Sequence, residues 1–234
     1  MTASTSLVHA QEVVLAGQPL WLLPGKAAWH AASRTLFVAD LHLGKSATFR
    51  ARGLPVPTGT TQDNLARLSA LVHAHAAGRV VFLGDLLHAR PAQQAAAIAP
   101  LHAWRAAHAG LRCVLVRGNH DSHAGDPPPA LGFEVVDEPW PVDGAPGLAG
   151  CHHPQRVAGG AALAGHWHPA VTLRGLARDR QRLPCFCRID DVLVLPAFGA
   201  FTGSSAEALP PGSTCWPVGG GRVWPGMRTG KALR

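Results

Sequence analysis

The sequence predicts an α/β fold of two sheets packed face to face with helices outside, and three observations carry that expectation. Thr35-Leu36-Phe37-Val38-Ala39, Val80-Val81-Phe82-Leu83-Gly84 and Cys113-Val114-Leu115-Val116 are apolar runs of strand length. Segments of helical periodicity separate them, which makes β-α-β units with right-handed crossovers. Beyond residue 129 the pattern changes to short strands punctuated by turn residues.

Taken in order, residues 12–16 and 20–23 read as antiparallel strands joined by Gly17-Gln18-Pro19. Residues 29–33 lead into the strand at 35–39. The connection at 43–60 is long and carries Lys45, Arg50 and Arg52 just behind a strand end, so a substrate-facing loop is expected. Residues 61–77 form a helix with Leu65, Leu68, Leu71 and Val72 on one face, and Gly78 is its expected stop. His73 and His75, two apart on that helix, point in different directions and read as solvated.

Residues 79–84 are the next strand, and 86–90 a rim loop with His88 and Arg90. Residues 91–109 are alanine-rich and helical, with a break expected at Pro100 and with His102 and His108 facing water. After the strand at 112–116, residues 123–129 read as an irregular loop. Short strands follow at 133–137, 148–151, 161–164, 171–173, 184–189 and 192–195. A hairpin from 213–218 and 222–224 is expected within the Gly/Pro-rich segment 203–234, with the chain loose after Pro225. The expectation is one domain, its core at 12–202.

Composition sets limits. No apolar run approaches the length of a membrane span, and residues 1–11 lack a basic region followed by an apolar core. Five thinly spread cysteines suit a reducing compartment, so the cytoplasm is the expected location. A net charge of +7 is compatible with a polyanionic partner. Only three of the 21 basic residues are lysine, however, and abundant Ala and Gly point to the coding bias of a GC-rich genome, so charge alone does not decide.

The chemistry lies where the apolar runs end. Asp40 and His42 follow the first, Asp85 the second, and Gly118-Asn119-His120-Asp121 the third, the rim where open α/β sheets bind ligands. The second half adds Cys151-His152-His153 and Gly165-His166-Trp167-His168, and His-x-His on an extended segment puts both imidazoles on one side. By composition, Asp-x-His or His-x-His arises by chance about once in such a chain, whereas Gly-Asn-His-Asp is expected fewer than about 0.001 times. Imidazole, carboxylate and amide oxygen together suit Mn, Fe or Zn rather than Ca.

Asp40-x-His42, Gly84-Asp85, Gly118-Asn119-His120-Asp121, His152 and Gly165-His166-x-His168 resemble the successive motifs of calcineurin-like metallophosphoesterases. The resemblance implies a four-layer α/β/β/α sandwich of two mixed sheets with two divalent metal ions, Mn first among the candidates. It implies Asp40, His42, Asp85 and His168 on one ion, and Asp85, Asn119, His152 and His166 on the other. His120 is then the acid or transition-state donor beside them, with Asp121 orienting it. The doublet leaves His152 or His153 for its motif, and His152 is the expectation. Lys45, Arg50, His88 and Arg90 are the expected substrate contacts.

A closer resemblance spans roughly residues 20–203. Asp40-Leu-His-Leu-Gly-Lys45, Gly84-Asp-Leu-Leu-His-Ala-Arg90, Arg117-Gly-Asn-His-Asp121, Gly165-His-x-His-Pro169, Leu183-Pro-Cys-Phe186 and Leu195-Pro-Ala-Phe-Gly-Ala-Phe-Thr-Gly203 resemble the bacterial ligase-associated DNA damage response phosphoesterases. That resemblance implies an endonuclease or phosphodiesterase acting on DNA in repair, alongside an ATP-dependent DNA ligase and a helicase. Trp167 stands where that group commonly has Leu, at a position that is not a ligand.

The chemistry is consistent with this. A phosphodiester repels hydroxide, and two cations both neutralise it and make a nucleophile available near neutral pH. Asp85 must be a carboxylate to serve two cations, while His120, not needed as a ligand, is left to donate a proton. The alternatives are a phosphatase or pyrophosphatase on a small nucleotide or lipid headgroup, and a scaffold that lost turnover; the intact donor set argues against the scaffold. Cys185 and Cys187 share one face of a strand but lack the further nearby cysteines of a metal site, Cys113 and Cys151 read as buried small hydrophobes, and Arg174, Arg178, Arg180, Arg182 and Arg188 as either a backbone contact or a solvated stretch.

Overall fold

The computed structural model describes residues 7–45, 59–175, 179–200, 202–203 and 209–229. It opens with an antiparallel meander of β1 (Gln11–Leu15), β2 (Gln18–Leu23), β3 (Ala27–His30) and β4 (Thr35–Val38). Parallel crossovers follow. Helix α1 (Thr60–Ala74) leads to β5 (Arg79–Leu83), α2 (Ala95–Ala107) to β6 (Arg112–Val116), and α3 (Asn119–Ala124) precedes β7 (Phe133–Val136). These seven strands lie side by side in chain order, with β4 to β7 parallel.

The second sheet contains β8 (Trp140–Pro141), β9 (Leu148–Gly150), β10 (Ala161–Ala164), β11 (Ala170–Arg174), β12 (Arg180–Ile189), β13 (Val192–Val194), β14 (Thr214–Gly219), β15 (Arg222–Val223) and β16 (Met227–Arg228). Its order is β15-β14-β12-β13-β10-β9-β8, with β11 on β12 and β16 on β14. Strand β10 runs parallel to both β9 and β13, and the other pairings are antiparallel, so both sheets are mixed.

Alternation assigns the faces. Leu36, Val38, Val80, Phe82, Cys113 and Leu115 point outward under Leu65 and Leu68 of α1 and Leu101 and Trp104 of α2. Their neighbours Phe37, Ala39, Val81, Leu83, Val114 and Val116 point inward and meet Leu148, Leu163, Phe186 and Leu193 of the second sheet. Strands buried on both faces read as unbroken apolar runs, which is why these three stood out in the sequence. Each fully buried Leu or Phe contributes about 1.5–3 kcal/mol. Among the described residues the helices lie over the first sheet, and Val157, Trp167 and Leu209 partly cover the outer face of the second.

Several local expectations are corrected. Ala27–His30 is a strand, its alanines having carried no alternation. Helix α1 ends at Ala74, and Ala76 rather than Gly78 takes the left-handed backbone (φ 47°). Pro100 sits inside a continuous α2; the break falls at extended Gln94, after a short 3-10 turn over Arg90–Gln93. His75 and His108 do not simply face water, since His75 packs on Trp29 (5.3 Å between ring centres) and His108 Nε2 lies 2.8 Å from Ser69 Oγ. Residues 119–124 are helical, so the irregular loop starts at Gly125. Strand β7 completes the first sheet, and the chain after Pro225, expected to be loose, is pinned by β16 against β14. The expected loop at 43–60 lies largely outside the described residues. Among the described residues no helix is long and apolar enough to cross a membrane.

Candidate metal centre

Five parallel strands from the two sheets end at one place. Asp40 and His42 follow β4, Asp85 follows β5, and Asn119 opens α3 just past β6. From the opposite sheet, His152 follows β9, and His166 and His168 follow β10. Backbone hydrogen bonds lash the loops together: the His42 N–H donates to the Asp85 carbonyl (2.8 Å) and the Asp40 N–H to the Gly84 carbonyl (3.3 Å). The His166 N–H crosses between sheets to the Asp40 carboxylate at 3.0 Å.

The chain is bent hard to achieve this. Asp40, His42, Asp85, His166 and His168 all have positive φ, between 46° and 67°. Left-handed backbone costs a non-glycine residue roughly 1–2 kcal/mol, and such strain gathers at functional sites. The flanking glycines are there for room. A Cβ on Gly84 (φ 79°) would fall 2.1 Å from His152 Nδ1, and one on Gly118 would fall 2.4 Å from Asp85 Oδ1.

The donor atoms form two overlapping groups. In the first, His42 Nε2 lies 3.4 Å from His168 Nε2 and 3.6 Å from Asp85 Oδ2, and His168 Nε2 lies 3.5 Å from Asp40 Oδ1. In the second, His152 Nε2 lies 3.5 Å from Asp85 Oδ1, 2.8 Å from Asn119 Oδ1 and 3.1 Å from His166 Nδ1. Asp85 thus turns one oxygen toward each.

This chemistry fits cations. Ligands about 2.0–2.2 Å from a tetrahedral ion stand roughly 3.4 Å apart, the spacing of the first group. His152 Nδ1–H donates to the Leu83 carbonyl (3.1 Å), so its Nε2 turns a lone pair onto the Asn119 oxygen. Two lone pairs face each other there, and a cation between them reconciles the contact. Asp40 and Asp85 are almost fully buried, and among the described residues every ion-pairing group within 4.0 Å of them is a histidine. Buried carboxylates need a counter-charge. His42 does not supply it, because burial first, then Lys45 and the neighbouring imidazoles, push its ring down to about 2. Burial likewise lowers His166 and raises Asp85. Neutral imidazole is the ligating form.

His120 stands beside the donors, with Nε2 4.0 Å from Asp85 Oδ2 and Nδ1–H donating to the His88 carbonyl at 2.9 Å. Its ring stacks on that of His88 (5.0 Å between centres). The expectation that Asp121 orients His120 is corrected. Asp121 Oδ1 accepts the Leu87 N–H and Oδ2 the Gly118 N–H, both at 3.0 Å, so the carboxylate ties two loops together while a backbone carbonyl orients the imidazole. Lys45 Nζ donates to the Thr202 carbonyl (3.0 Å) and lies near enough to Asp85 and Asp40 to feel their charge. Arg90 is exposed at the start of its 3-10 turn, and Arg50 lies outside the described residues.

Of the doublet, His152 is buried in the donor group. His153 is exposed, its Nδ1 2.6 Å from Glu138 Oε1. The partner Oε2 of Glu138 accepts the amides of both His152 (2.6 Å) and His153 (2.8 Å). Burial opposes the charge on Glu138, but these hydrogen bonds outweigh it and hold the carboxyl below its usual range. Sequence reasoning passed over Glu138, which carries no motif. It also missed a cavity of about 390 Å³ beside His168, bounded by Lys26 and Arg182.

Residues 33–182 match the family model described as calcineurin-like phosphoesterase. A crystal structure of the Pseudomonas putida nuclease MPE is similar at 44% sequence identity, covering 92% of this chain and 99% of that one, with a TM-score of 0.80. A structure of YfcE, a phosphoesterase from E. coli, matches at 14% identity and a TM-score of 0.42 over 83% of this chain and 98% of that one. No match was found among the curated proteins.

Proposed function

Because the chain belongs to the calcineurin-like phosphoesterases and is a metal-dependent phosphoester hydrolase, we propose that it cuts phosphodiester bonds of DNA using two divalent ions held by its seven convergent donors. Asp40, His42 and His168 would hold one ion; Asn119, His152 and His166 the other; Asp85 would serve both. The observation that carries this is the divided orientation of Asp85, with Oδ2 3.6 Å from His42 and Oδ1 3.5 Å from His152. Mixed imidazole and oxygen donors suit Mn first, with Fe or Zn as alternatives.

When bound, such a pair neutralises the phosphodiester and makes water more acidic. The protein's own contribution is placement. Asp85 is held by the His120 amide, which donates to Oδ1 at 2.9 Å. His120, with Nδ1–H committed to the His88 carbonyl, presents Nε2 to the site, where the protonated ring donates to the leaving oxygen. Lys45, braced on Thr202, adds positive potential at the rim.

The similarity to the P. putida nuclease supports a polynucleotide substrate. The ligase-associated motifs of the sequence support a repair role beside an ATP-dependent ligase and a helicase, and the few scattered cysteines support a cytoplasmic location. The test is Mn-dependent hydrolysis of bis-p-nitrophenyl phosphate, then cleavage of circular single-stranded, nicked and flapped DNA by the same preparation. Asp85→Asn and His120→Ala should each abolish the first activity. Full activity in both would refute the mechanism, and a strong preference for small nucleotides over every DNA would replace the DNA reading with a nucleotide phosphatase.

A further inference from the structure

The β11–β12 hairpin carries a row of cations that leads away from the site. Its pairing sets Ala170 opposite Pro184, Thr172 opposite Arg182 and Arg174 opposite Arg180, and side chains at these alternate positions share one face. The inner end of that face, formed by Ala170, Arg182 and Pro184, lines the cavity beside His168. The outer end, with Arg174 and Arg180, is exposed, while Val171, Leu173 and Leu183 on the opposite face are half-buried. Arg182 and Arg180 are therefore about 6.8 Å apart along the strand, a step comparable to that between successive phosphates of an extended strand. Across the cavity Lys26 holds its Nζ on the Ala197 carbonyl at 3.0 Å. Asp179 lies beyond the row, at the hairpin turn.

We propose that the cavity and this arginine row bind the backbone of an extended single polynucleotide strand flanking the scissile phosphate. Lys26 and Arg182 take the phosphate next to the metal centre, and Arg180 with Arg174 the one beyond. The inference rests on the polynucleotide reading above. A cavity of about 390 Å³ is within the range that holds a small molecule, large enough for one splayed nucleotide and far smaller than a stacked duplex.

The test is a KM-against-kcat comparison of wild type with the double variant Arg180→Gln/Arg182→Gln and with Lys26→Gln. The substrates are a long single-stranded oligodeoxynucleotide and bis-p-nitrophenyl phosphate, which has no flanking phosphate. The double variant should lose about tenfold in kcat/KM on the oligonucleotide, through KM, and far less on the small ester. The slope of log(kcat/KM) against log salt should flatten by about 0.7 for each arginine removed, and Arg→Lys at both positions should restore it. Equal losses on both substrates, or an unchanged KM and salt slope on the oligonucleotide, overturn the proposal. If wild type hydrolyses the small ester and cuts no polynucleotide, the polynucleotide reading fails and takes this proposal with it.

Discussion

His152 Nδ1 lies 3.1 Å from the carbonyl oxygen of Leu83, the last residue of β5, and this contact decides which ring nitrogen faces the donor cluster. His153 has no such anchor and turns to Glu138. His152→Ala should therefore lower activity by about 100-fold or more and weaken metal binding, as losing a ligand does. His153→Ala should cost under about fivefold, in line with a rim contact. Kinetics and metal titration of the two variants check this, and the reverse ranking would exchange their roles.

Gly84 leaves no room for a methyl group. Gly84→Ala sets a left-handed φ against a side chain, about 1–2 kcal/mol, and drives the methyl into the His152 ring. The expected result is a lower Tm together with lost metal affinity. An alanine variant with wild-type metal affinity would show that the ring can step aside.

Asp121 is expected to matter for folding more than for chemistry. Asp121→Ala leaves the buried Leu87 and Gly118 amides without acceptors, at about 1–3 kcal/mol each. Urea unfolding should show a loss of about 2–5 kcal/mol, and Asp121→Asn, which keeps one acceptor oxygen, should lose less. If the alanine variant unfolds like wild type yet is inactive, Asp121 acts in the reaction instead.

The pH dependence of stability has a specific source in Lys26. Burial, and then the Arg67 guanidinium, lower its pKa from the usual 10.5 to about 8. Below pH 8 both folded and unfolded chains carry the proton, and the cost of burying the charge is constant. Between about 8 and 10.5 the unfolded chain binds more protons than the folded one, so this group makes stability rise with pH. In Lys26→Met that rise should vanish, changing the wild-type-minus-variant difference by up to about 3 kcal/mol across the window. Parallel unfolding curves at pH 7 and pH 10 would contradict it.

Chelation should lower Tm, and added Mn should restore it, adding about 1.4 kcal/mol of unfolding free energy for each tenfold excess over Kd. Asp85→Asn should flatten that response, because one carboxylate serves both donor groups. A Tm indifferent to chelator would mean that the donors are not loaded.

The parts legible in the sequence were those set by local pattern. Leu36 to Val38, Val80 to Leu83 and Cys113 to Val116 are buried on both faces, so their apolar runs showed, and the polar residues behind them marked the rim. What stayed hidden depends on distant partners. The hairpin of β14 and β15 was expected, but the place of β14 inside a sheet, through the pairing of Cys215 with Cys187, was not. The left-handed backbone of Asp40 and His168 is uncommon even for Asp and His, and neither residue's neighbours in sequence announce it. Glu138 matters through two amides that no motif describes. Pro100 misled because a single lost backbone bond is cheap to a helix packed through Ile98, Leu101 and Trp104.

The donors are divided between the sheets: Asp40, His42, Asp85 and Asn119 on one, His152, His166 and His168 on the other. A chain emerging from the ribosome carries the acidic half long before the imidazole half has a strand to stand on. Phosphoester hydrolysis can therefore begin only once both halves have closed on each other.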